Sequence, residues 1–161
     1  METLAIAKSF SDQWDELEFN IDEPTYKVKQ AWIDSAPVIL TKMYAPTLTT
    51  EHLVQIMAEP PAVMTAINSN MTAVRLPDQD GLMTFAYTIK TPPLTSDRNM
   101  FVTYYIKRDE ATGAVTLLST STGNDAFETS EEELIGSNVV GHLVMSYVHF
   151  EPSSEGGFNI E

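Results

Sequence analysis

The sequence contains no cysteine among its 161 residues. This absence excludes disulfide bonds, thiolate catalysis and zinc sites built from cysteine ligands. Long apolar runs are lacking too, since no stretch of about 18 apolar residues is present that would form a membrane-spanning helix. The apolar run at residues 4–7 is too short for a signal peptide, and Lys8 follows it directly. We therefore expect a cytoplasmic protein.

Positive charge is scarce in this chain. Nine lysines and arginines stand against 23 aspartates and glutamates, which gives a formal net charge of -14. Such a field repels a phosphate backbone, so we expect no nucleic-acid partner. Because no polybasic stretch exists, general adsorption to anionic membranes is disfavoured as well.

The remaining composition is typical of one folded domain over residues 1–161, with 43% hydrophobic residues. Apolar residues at helical spacing predict an amphipathic helix within residues 1–20 and a second helix over residues 50–57. Period-two alternation predicts strands over residues 26–33, 37–44, 71–76, 82–90, 99–108, 114–122, 139–150 and 158–160. Most connections have hairpin length, and the longest one, over residues 123–137, is polar and acidic. This order predicts an α+β fold, a curved antiparallel sheet with N-terminal and intervening helices.

Two neighbouring predicted strands, 82–90 and 99–108, carry methionine and aromatic residues at alternate positions, which must therefore face the interior. Methionine adapts its shape to its surroundings, and tyrosine carries a hydroxyl at the end of an apolar ring. Such a lining suits an apolar ligand with one or two polar groups, and plain core packing is the alternative. In the last long strand, Met145 shares a face with Leu143 and Tyr147. The predicted lining residues are Met83, Phe85, Tyr87, Met100, Val102, Tyr104 and Met145.

The spacing of catalytic residue types gives no recognisable active site. His142 and His149 are seven residues apart on one predicted strand, so they point to opposite faces and cannot share a metal ion. No acid–base pair can be identified, and we expect a non-enzymatic protein without a cofactor. The alternative is a cavity-based cyclase or hydrolase, for which His149 is the candidate because it lies on the same face as Tyr147.

Residues 89–102 combine a strand ending in Lys90, a Pro92-Pro93 turn, and Arg98-Asn99 at the start of the next strand. This segment resembles the START (steroidogenic-acute-regulatory-related lipid-transfer) family, in which an Arg-Asp pair opens that strand; here an amide replaces the acid. Residues 136–142 and 150–152 also resemble the family, as does the order of hairpin and helix, so the resemblance covers roughly residues 20–160. It implies a helix-grip fold, in which a curved antiparallel sheet surrounds a long C-terminal helix and a lipid-sized tunnel.

The resemblance further implies non-catalytic binding of a lipid or sterol-like molecule, or its transfer between membranes, with transient membrane contact. Some sterol-binding relatives carry an acid–arginine pair inside the tunnel. Phe85 or Tyr87 and Tyr104 occupy the nearest inward positions here, so we expect phenolic groups in place of that salt bridge. Arg98 has two interpretations: it recognises a headgroup phosphate or carboxylate, or it forms a turn ion pair with Asp97 or the acidic connection.

No amphipathic helix follows Ile160, so we expect the C-terminal gripping helix to be absent and the groove to be open. An open groove would expose a large apolar patch, which favours self-association or a protein partner. Together with the acidity of the chain, this motivates an alternative function, an acidic protein-interaction or co-chaperone-like module that uses the open groove.

Overall fold

The computed structural model describes residues 21–23, 26–33, 36–78, 80–93, 95–121, 138–141, 143 and 145–161. The helix predicted within residues 1–20 and the acidic connection over residues 123–137 lie outside these ranges. The described residues form ten strands and two helices. In chain order these are β1 Ile21–Glu23, β2 Tyr26–Ile33, β3 Ala36–Ala45, α1 Thr50–Ala58, α2 Pro61–Ile67, β4 Met71–Arg75, β5 Met83–Ile89, β6 Arg98–Arg108, β7 Val115–Thr120, β8 Val139–Val140, β9 Ser146–Pro152 and β10 Phe158–Ile160.

The helix predicted over residues 50–57 is confirmed as α1, and its Leu53 side chain is buried. The Pro60-Pro61 pair ends this helix and starts the next one, because Pro61 stands in the first turn of α2, where its missing N–H has no partner to lose. Among the described residues, neither helix has the length or the apolar character that crossing a bilayer requires.

The chain divides into two compact units. In the first, the strand order is β1-β2-β3-β10-β9, and every neighbouring pair is antiparallel. Ile33 pairs with Ala36, so the strands predicted over residues 26–33 and 37–44 are confirmed as an antiparallel pair, and the second one begins one residue earlier than predicted. The short edge strand β1 was not predicted from the sequence, because three residues are too few to show an alternation.

The β9–β10 turn requires glycine at Gly157. This residue has a φ of +69°, and an added Cβ would stand 2.3 Å from the Ala45 carbonyl oxygen. Its neighbour Gly156 has a φ of +87° but has open space around it, and Tyr44 donates a hydrogen bond to its carbonyl oxygen at 3.0 Å.

Substituting Gly157 with alanine is therefore expected to lower the free energy of unfolding by about 2–3 kcal/mol, since backbone strain and a backbone clash act together. Gly156→Ala in the same turn adds only the strain and should cost about 1 kcal/mol. Urea unfolding of both variants measures the difference. Equal losses would mean that the turn yields freely and that the close approach to Ala45 is not a constraint.

In the second unit, β7, β6, β5 and β4 follow one another as antiparallel neighbours, together with α1 and α2. The register pairs Phe85 of β5 with Val102 of β6, and Tyr104 of β6 with Ser119 of β7. Directly paired residues point to the same face of a sheet. The predicted inward residues of β5 and β6 thus share one face.

The long strand predicted over residues 139–150 is wrong, because the chain forms two separate strands there, β8 and β9. β8 runs parallel to β6 and pairs beside Arg98 and Asn99. The same side of β6 is occupied from Thr103 onward by β7, so a longer β8 would collide with β7. β8 ends at Val140, and the N–H of the next residue, Gly141, donates to the Asn99 carbonyl at 2.6 Å.

Candidate functional site

One apolar cluster occupies a face of the second unit. Its buried members, Phe85, Tyr87, Val102 and Tyr104, all belong to the predicted lining. Met83 and Met100, also predicted, are partly buried against them. The sequence therefore placed six side chains correctly on one face, because the period-two alternation of β5 and β6 fixes which residues point together. Further partly buried residues of this cluster are Met71, Ala73, Leu117 and Leu143.

The hydroxyls of Tyr87 and Tyr104 are in hydrogen-bond contact with each other. The two tyrosines stand on either side of the Phe85–Val102 pair in the register, so their side chains converge across that pair. The Phe85 ring meets the Tyr104 ring edge-on, with centroids 5.8 Å apart and planes at 84°, the arrangement that aromatic quadrupoles favour. We call Tyr87 and Tyr104 together the tyrosine pair.

Burial is the main cause of a raised pKa for both phenols of the tyrosine pair. The hydrogen bond to Tyr104 raises the pKa of Tyr87 further, whereas the same bond acts in the opposite direction on Tyr104. Both side chains are therefore neutral hydroxyl groups over the whole physiological pH range.

The raised pKa values predict a loss of stability at alkaline pH. Tyrosines in the unfolded chain ionise near pH 10, whereas Tyr87 and Tyr104 stay protonated in the folded chain. The free energy of unfolding should thus be insensitive to these groups below about pH 10, and above it should fall by at most about 1.4 kcal/mol per pH unit for each. Urea unfolding between pH 8 and 11 measures this slope. It should be smaller in Tyr87→Phe than in the wild type; an equal slope in the two proteins would contradict the assignment.

The opposite face of the same strands is buried as well, and the sequence analysis did not predict this. Thr84 and Phe101 are 0% and 1% exposed, and Asn99 is buried too. The Thr84 and Thr103 hydroxyls are hydrogen-bonded at 3.1 Å, and Leu76, Ala86 and Phe101 form a second small apolar cluster. Alternation identifies which residues share a face, but it does not reveal that both faces are covered when one of them carries threonines.

A cleft of about 430 Å³ adjoins the apolar cluster. Phe85, Met71 and Ala73 belong to both the cluster and the cleft wall. Of the predicted lining residues, only Phe85 reaches this cleft. The helical side of the cleft was not predicted, because strand alternation carries no information about α1 and α2. The remaining wall residues are Ala58, Glu59, Pro61, Thr65, Thr72 and Arg75.

Arg98 lies outside the apolar cluster. Its side chain is exposed, and its guanidinium donates to the Ser96 carbonyl oxygen at 2.6 Å. The turn ion pair is formed instead by Lys90 and Asp97, at 2.6 Å. The Thr91 N–H also donates to the Asp97 carboxylate. The hydrogen bond from Lys90 is the main cause of a lowered pKa for Asp97, and the bond from the Thr91 amide lowers it further. Lys90, at the start of the Lys90–Pro93 segment noticed in the sequence, thus holds the β5–β6 connection closed through Asp97.

Met145 is half-buried and is not a member of the apolar cluster. Leu143, by contrast, packs against that cluster. Leu143 and Ser121 are joined by two hydrogen bonds. The Leu143 N–H donates to the Ser121 hydroxyl at 3.0 Å, and the Ser121 N–H donates to the Leu143 carbonyl at 2.8 Å. Met145 had been placed by extending a strand that in fact begins at Ser146.

His149, the candidate for a cavity-based enzyme, lines a different cleft. This second cleft, of about 300 Å³, lies in the first unit and has Lys27, Lys42, Glu151 and Glu161 in its wall. Lys42 and Glu161 form an ion pair at 2.8 Å. His149 stacks on Tyr147 with ring centroids 6.4 Å apart. The shared face of these two rings is confirmed, but His149 lines a cleft with four charged side chains in its wall and is not a member of the apolar cluster.

Comparisons with known proteins were made at the level of sequence and of structure. No family model and no curated protein sequence matches the chain. Among the solved structures that match, three cover most of the chain and are described as StAR-related or lipid transfer domains. A STAR-related lipid transfer protein from Xanthomonas axonopodis, solved as a fragment, has a TM-score of 0.67 at 11% identity, over 89% of this chain and 77% of the other.

The other two are human proteins. The lipid transfer and protein localization domain of StarD13 has a TM-score of 0.63 at 13% identity and covers 98% of this chain and 78% of its own. StAR-related lipid transfer protein 5 has a TM-score of 0.67 at 16% identity, over 98% and 76%. The α+β helix-grip fold predicted from the resemblance is confirmed by these similarities.

Proposed function

We propose that the protein binds one lipid or sterol-like molecule without making or breaking a covalent bond, and that it carries this molecule between membranes. The observation that carries the proposal is the apolar cluster with its adjoining cleft, on a fold that is similar to lipid transfer domains. The cleft volume of about 430 Å³ lies within the range of roughly 300–1,000 Å³ that small-molecule sites occupy.

Burial of apolar surface supplies the driving force for such a complex. A ligand that buries about 300 Å² of apolar surface gains roughly 7–8 kcal/mol at 25 cal/mol per Å², before the cost of ordering is subtracted. The groups that the cluster offers are phenyl, thioether, aliphatic and phenolic. These groups favour a ligand with an apolar body and with a polar end that carries no full charge.

Transient membrane contact is assigned to α1 and α2, which form one side of the cleft. Val54, Val63 and Met64 are large apolar side chains of these helices that stay half exposed. The surrounding sequence, residues 43–74, contains no lysine or arginine and only two acidic residues, Glu51 and Glu59. A nearly uncharged apolar surface suits a zwitterionic bilayer better than an anionic one, which the net charge of the chain repels.

Extraction of labelled lipid from liposomes tests the proposal. Phosphatidylcholine liposomes that carry traces of radiolabelled cholesterol, diacylglycerol or phosphatidylcholine are incubated with the protein, and the label in the liposome-free fraction is counted. We expect at least one of these lipids to be extracted, and extraction to be slower when anionic phosphatidylserine is added. No extraction of any of them would reject the lipid function and would leave the protein-interaction module as the interpretation of this fold.

A further inference from the structure

Strand β4 is the last strand in its sheet order, and only one of its edges pairs with a described strand, β5. In register with that pairing, the Leu76 N–H donates to the Thr84 carbonyl at 2.9 Å. Backbone groups of successive residues in an antiparallel strand point to opposite edges. The even-numbered residues of β4 therefore bond to β5, and the odd-numbered residues Met71, Ala73 and Arg75 direct their N–H and C=O groups to the other edge.

Most of these outward backbone groups have no partner. Within the ranges that the structure describes, the backbone N–H and C=O groups of Ala73 and Arg75 make no hydrogen bond, whereas the Met71 N–H donates to the Asn68 carbonyl at 3.0 Å. A row of unpaired backbone groups is a template for a further strand, and proteins protect such edges with charged side chains, prolines or bulges. The central residues of β4, Thr72–Val74, have none of these protections.

The sequence of β4 is complementary to a second copy of itself in an antiparallel arrangement. A two-fold axis through Ala73 places Ala73 opposite its own copy, Thr72 opposite Val74, and Met71 opposite Arg75. The two copies of Ala73 then exchange hydrogen bonds, and each Arg75 N–H donates to the Met71 carbonyl of the other copy. The small alanine side chains meet at the axis, and β-branched residues flank them on both sides, which suits strand pairing. Val74, which is 52% exposed in the single chain, is partly covered in this arrangement.

The charge distribution allows this edge to approach a second copy despite the net charge of -14. No lysine, arginine, aspartate or glutamate lies between Glu59 and Arg75 in the sequence, and Arg75 faces the uncharged Met71 in the paired register. Like charges directly opposite each other destabilise a sheet, and none meet here. The remaining repulsion between two acidic chains acts over longer distances and is screened by salt. Helix α2, which lies next to β4, adds the half-exposed apolar side chains Val63 and Met64.

From this arrangement we infer that the free edge of β4 is a self-association surface, through which two copies of the chain form an antiparallel dimer with its axis at Ala73. The interface is isologous, because the same residues contribute from both copies. Strand pairing over the five residues of β4 belongs to the small interfaces, below about 1,200 Å². We therefore expect a weak dimer with a Kd on the order of 10–100 μM. The inference does not depend on the proposed lipid function.

Sedimentation velocity of the purified protein measures the dimer. From about 5 to about 500 μM protein, a range around the expected Kd, the sedimentation coefficient should rise from that of the monomer towards that of a dimer. The dimer should be tighter in about 0.5 M than in about 0.15 M sodium chloride, because salt screens the repulsion between the acidic chains. A protein that stays monomeric at every concentration and at both salt concentrations would overturn the inference and leave the edge open to a strand from another protein.

Amide hydrogen exchange, followed residue by residue by NMR, locates the interface. The Ala73 and Arg75 amides should exchange at least about fivefold more slowly at the protein concentration at which most molecules are dimeric. The Val74 amide, which bonds to β5, should be protected at low and high concentration alike. A dimer in which the Ala73 and Arg75 amides exchange equally fast at both concentrations would use another surface and would overturn the assignment.

Ala73→Pro removes the outward N–H at the proposed axis without breaking a bond to β5. Proline is tolerated at a position of an edge strand whose N–H faces solvent, so the variant should fold. It should weaken the dimer at least about tenfold, the value of one lost hydrogen bond per copy. A folded Ala73→Pro protein that dimerises as the wild type does would contradict the proposed pairing.

Val74→Glu and Ile39→Glu form a matched pair that does not depend on the proline variant. Each replaces an exposed apolar side chain with glutamate and changes the net charge equally, but Ile39, 66% exposed, lies in the first unit. In the proposed dimer the two glutamates at position 74 lie diagonally across the axis on one face, where like charges repel. Val74→Glu should weaken the dimer at least about tenfold more than Ile39→Glu does. Equal effects of the two variants, or a larger effect of Ile39→Glu, would overturn the inference.

Discussion

Replacing Ala73 with tryptophan is expected to abolish lipid binding in a chain that still folds. Ala73 is a small residue in the wall of the 430 Å³ cleft, together with Met71, Thr72 and Phe85. It pairs with Tyr87 in the β4–β5 register and therefore points to the same face as the tyrosine pair. An indole at this position would fill the space that we assign to the body of the ligand.

The expected loss of affinity is about 100-fold or more, because the ligand and the indole cannot occupy the same space. Overpacking in a closed core typically costs 1–3 kcal/mol of stability, and the open cleft should keep the cost of Ala73→Trp near or below about 1 kcal/mol. Extraction of radiolabelled cholesterol and 1-hexadecanol from liposomes measures the loss. Circular dichroism and urea unfolding verify that the variant is folded.

Val74→Trp is the matched control for this experiment. Val74 is the next residue of β4, points to the opposite face, and is 52% exposed. An indole there adds the same bulk to the same strand without entering the cleft, so binding should be that of the wild type. A folded Ala73→Trp protein that extracts lipid as well as Val74→Trp does would show that the cleft is not the ligand site.

Phe101→Ala is expected to lower the free energy of unfolding by about 3–5 kcal/mol, the cost of removing a fully buried aromatic ring. Phe101 is 1% exposed and packs with Leu76 and Ala86 on the face of β6 opposite the tyrosine pair. The loss is large relative to a typical total stability of 5–15 kcal/mol. Lipid affinity per folded molecule should not change, because the ring is on the other side of the sheet from the proposed ligand.

Tyr105→Ala provides the comparison for Phe101→Ala. Tyr105 lies four residues after Phe101 on the same face of β6, but its side chain is 51% exposed, so truncation should cost about 1 kcal/mol or less. Urea unfolding of both variants measures the two losses. If Phe101→Ala cost no more than Tyr105→Ala, the face that carries Phe101 would not be covered in solution.

The position of the tyrosine pair was predictable from sequence because strand parity is a local property. Residues 85 and 87 alternate with threonine and alanine, residues 102 and 104 alternate with Phe101, Thr103 and Tyr105, and no tertiary information is needed to place the four on one face. The burial of Thr84 and Phe101 was not predictable in this way, because it depends on what covers the second face of the sheet. The threonines on this face are compatible with burial because the Thr84 and Thr103 hydroxyls are hydrogen-bonded to each other inside the protein.

The division of residues 139–150 into β8 and β9 has a similar cause. No proline or charged residue interrupts this segment in the sequence, and only the pairing of β7 with Thr103 and later residues of β6 shows why β8 must stop. Met145 was assigned to the lining because one unbroken strand was assumed over these residues, and the strand is divided. The helical side of the cleft, which includes Pro61 and Thr65, could not be predicted either. Sequence periodicity describes each helix or strand separately and does not show which elements pack together.

Native mass spectrometry tests most directly whether the protein binds one apolar ligand molecule. The protein is incubated with phosphatidylcholine liposomes containing cholesterol and 1-hexadecanol, separated from them by size exclusion, and sprayed from a volatile buffer. We expect the wild-type protein to show a second charge-state series, displaced by the mass of one cholesterol or one 1-hexadecanol molecule. This series should be absent from Ala73→Trp. A spectrum that holds only the mass of the bare polypeptide, for wild type and variant alike, would contradict it.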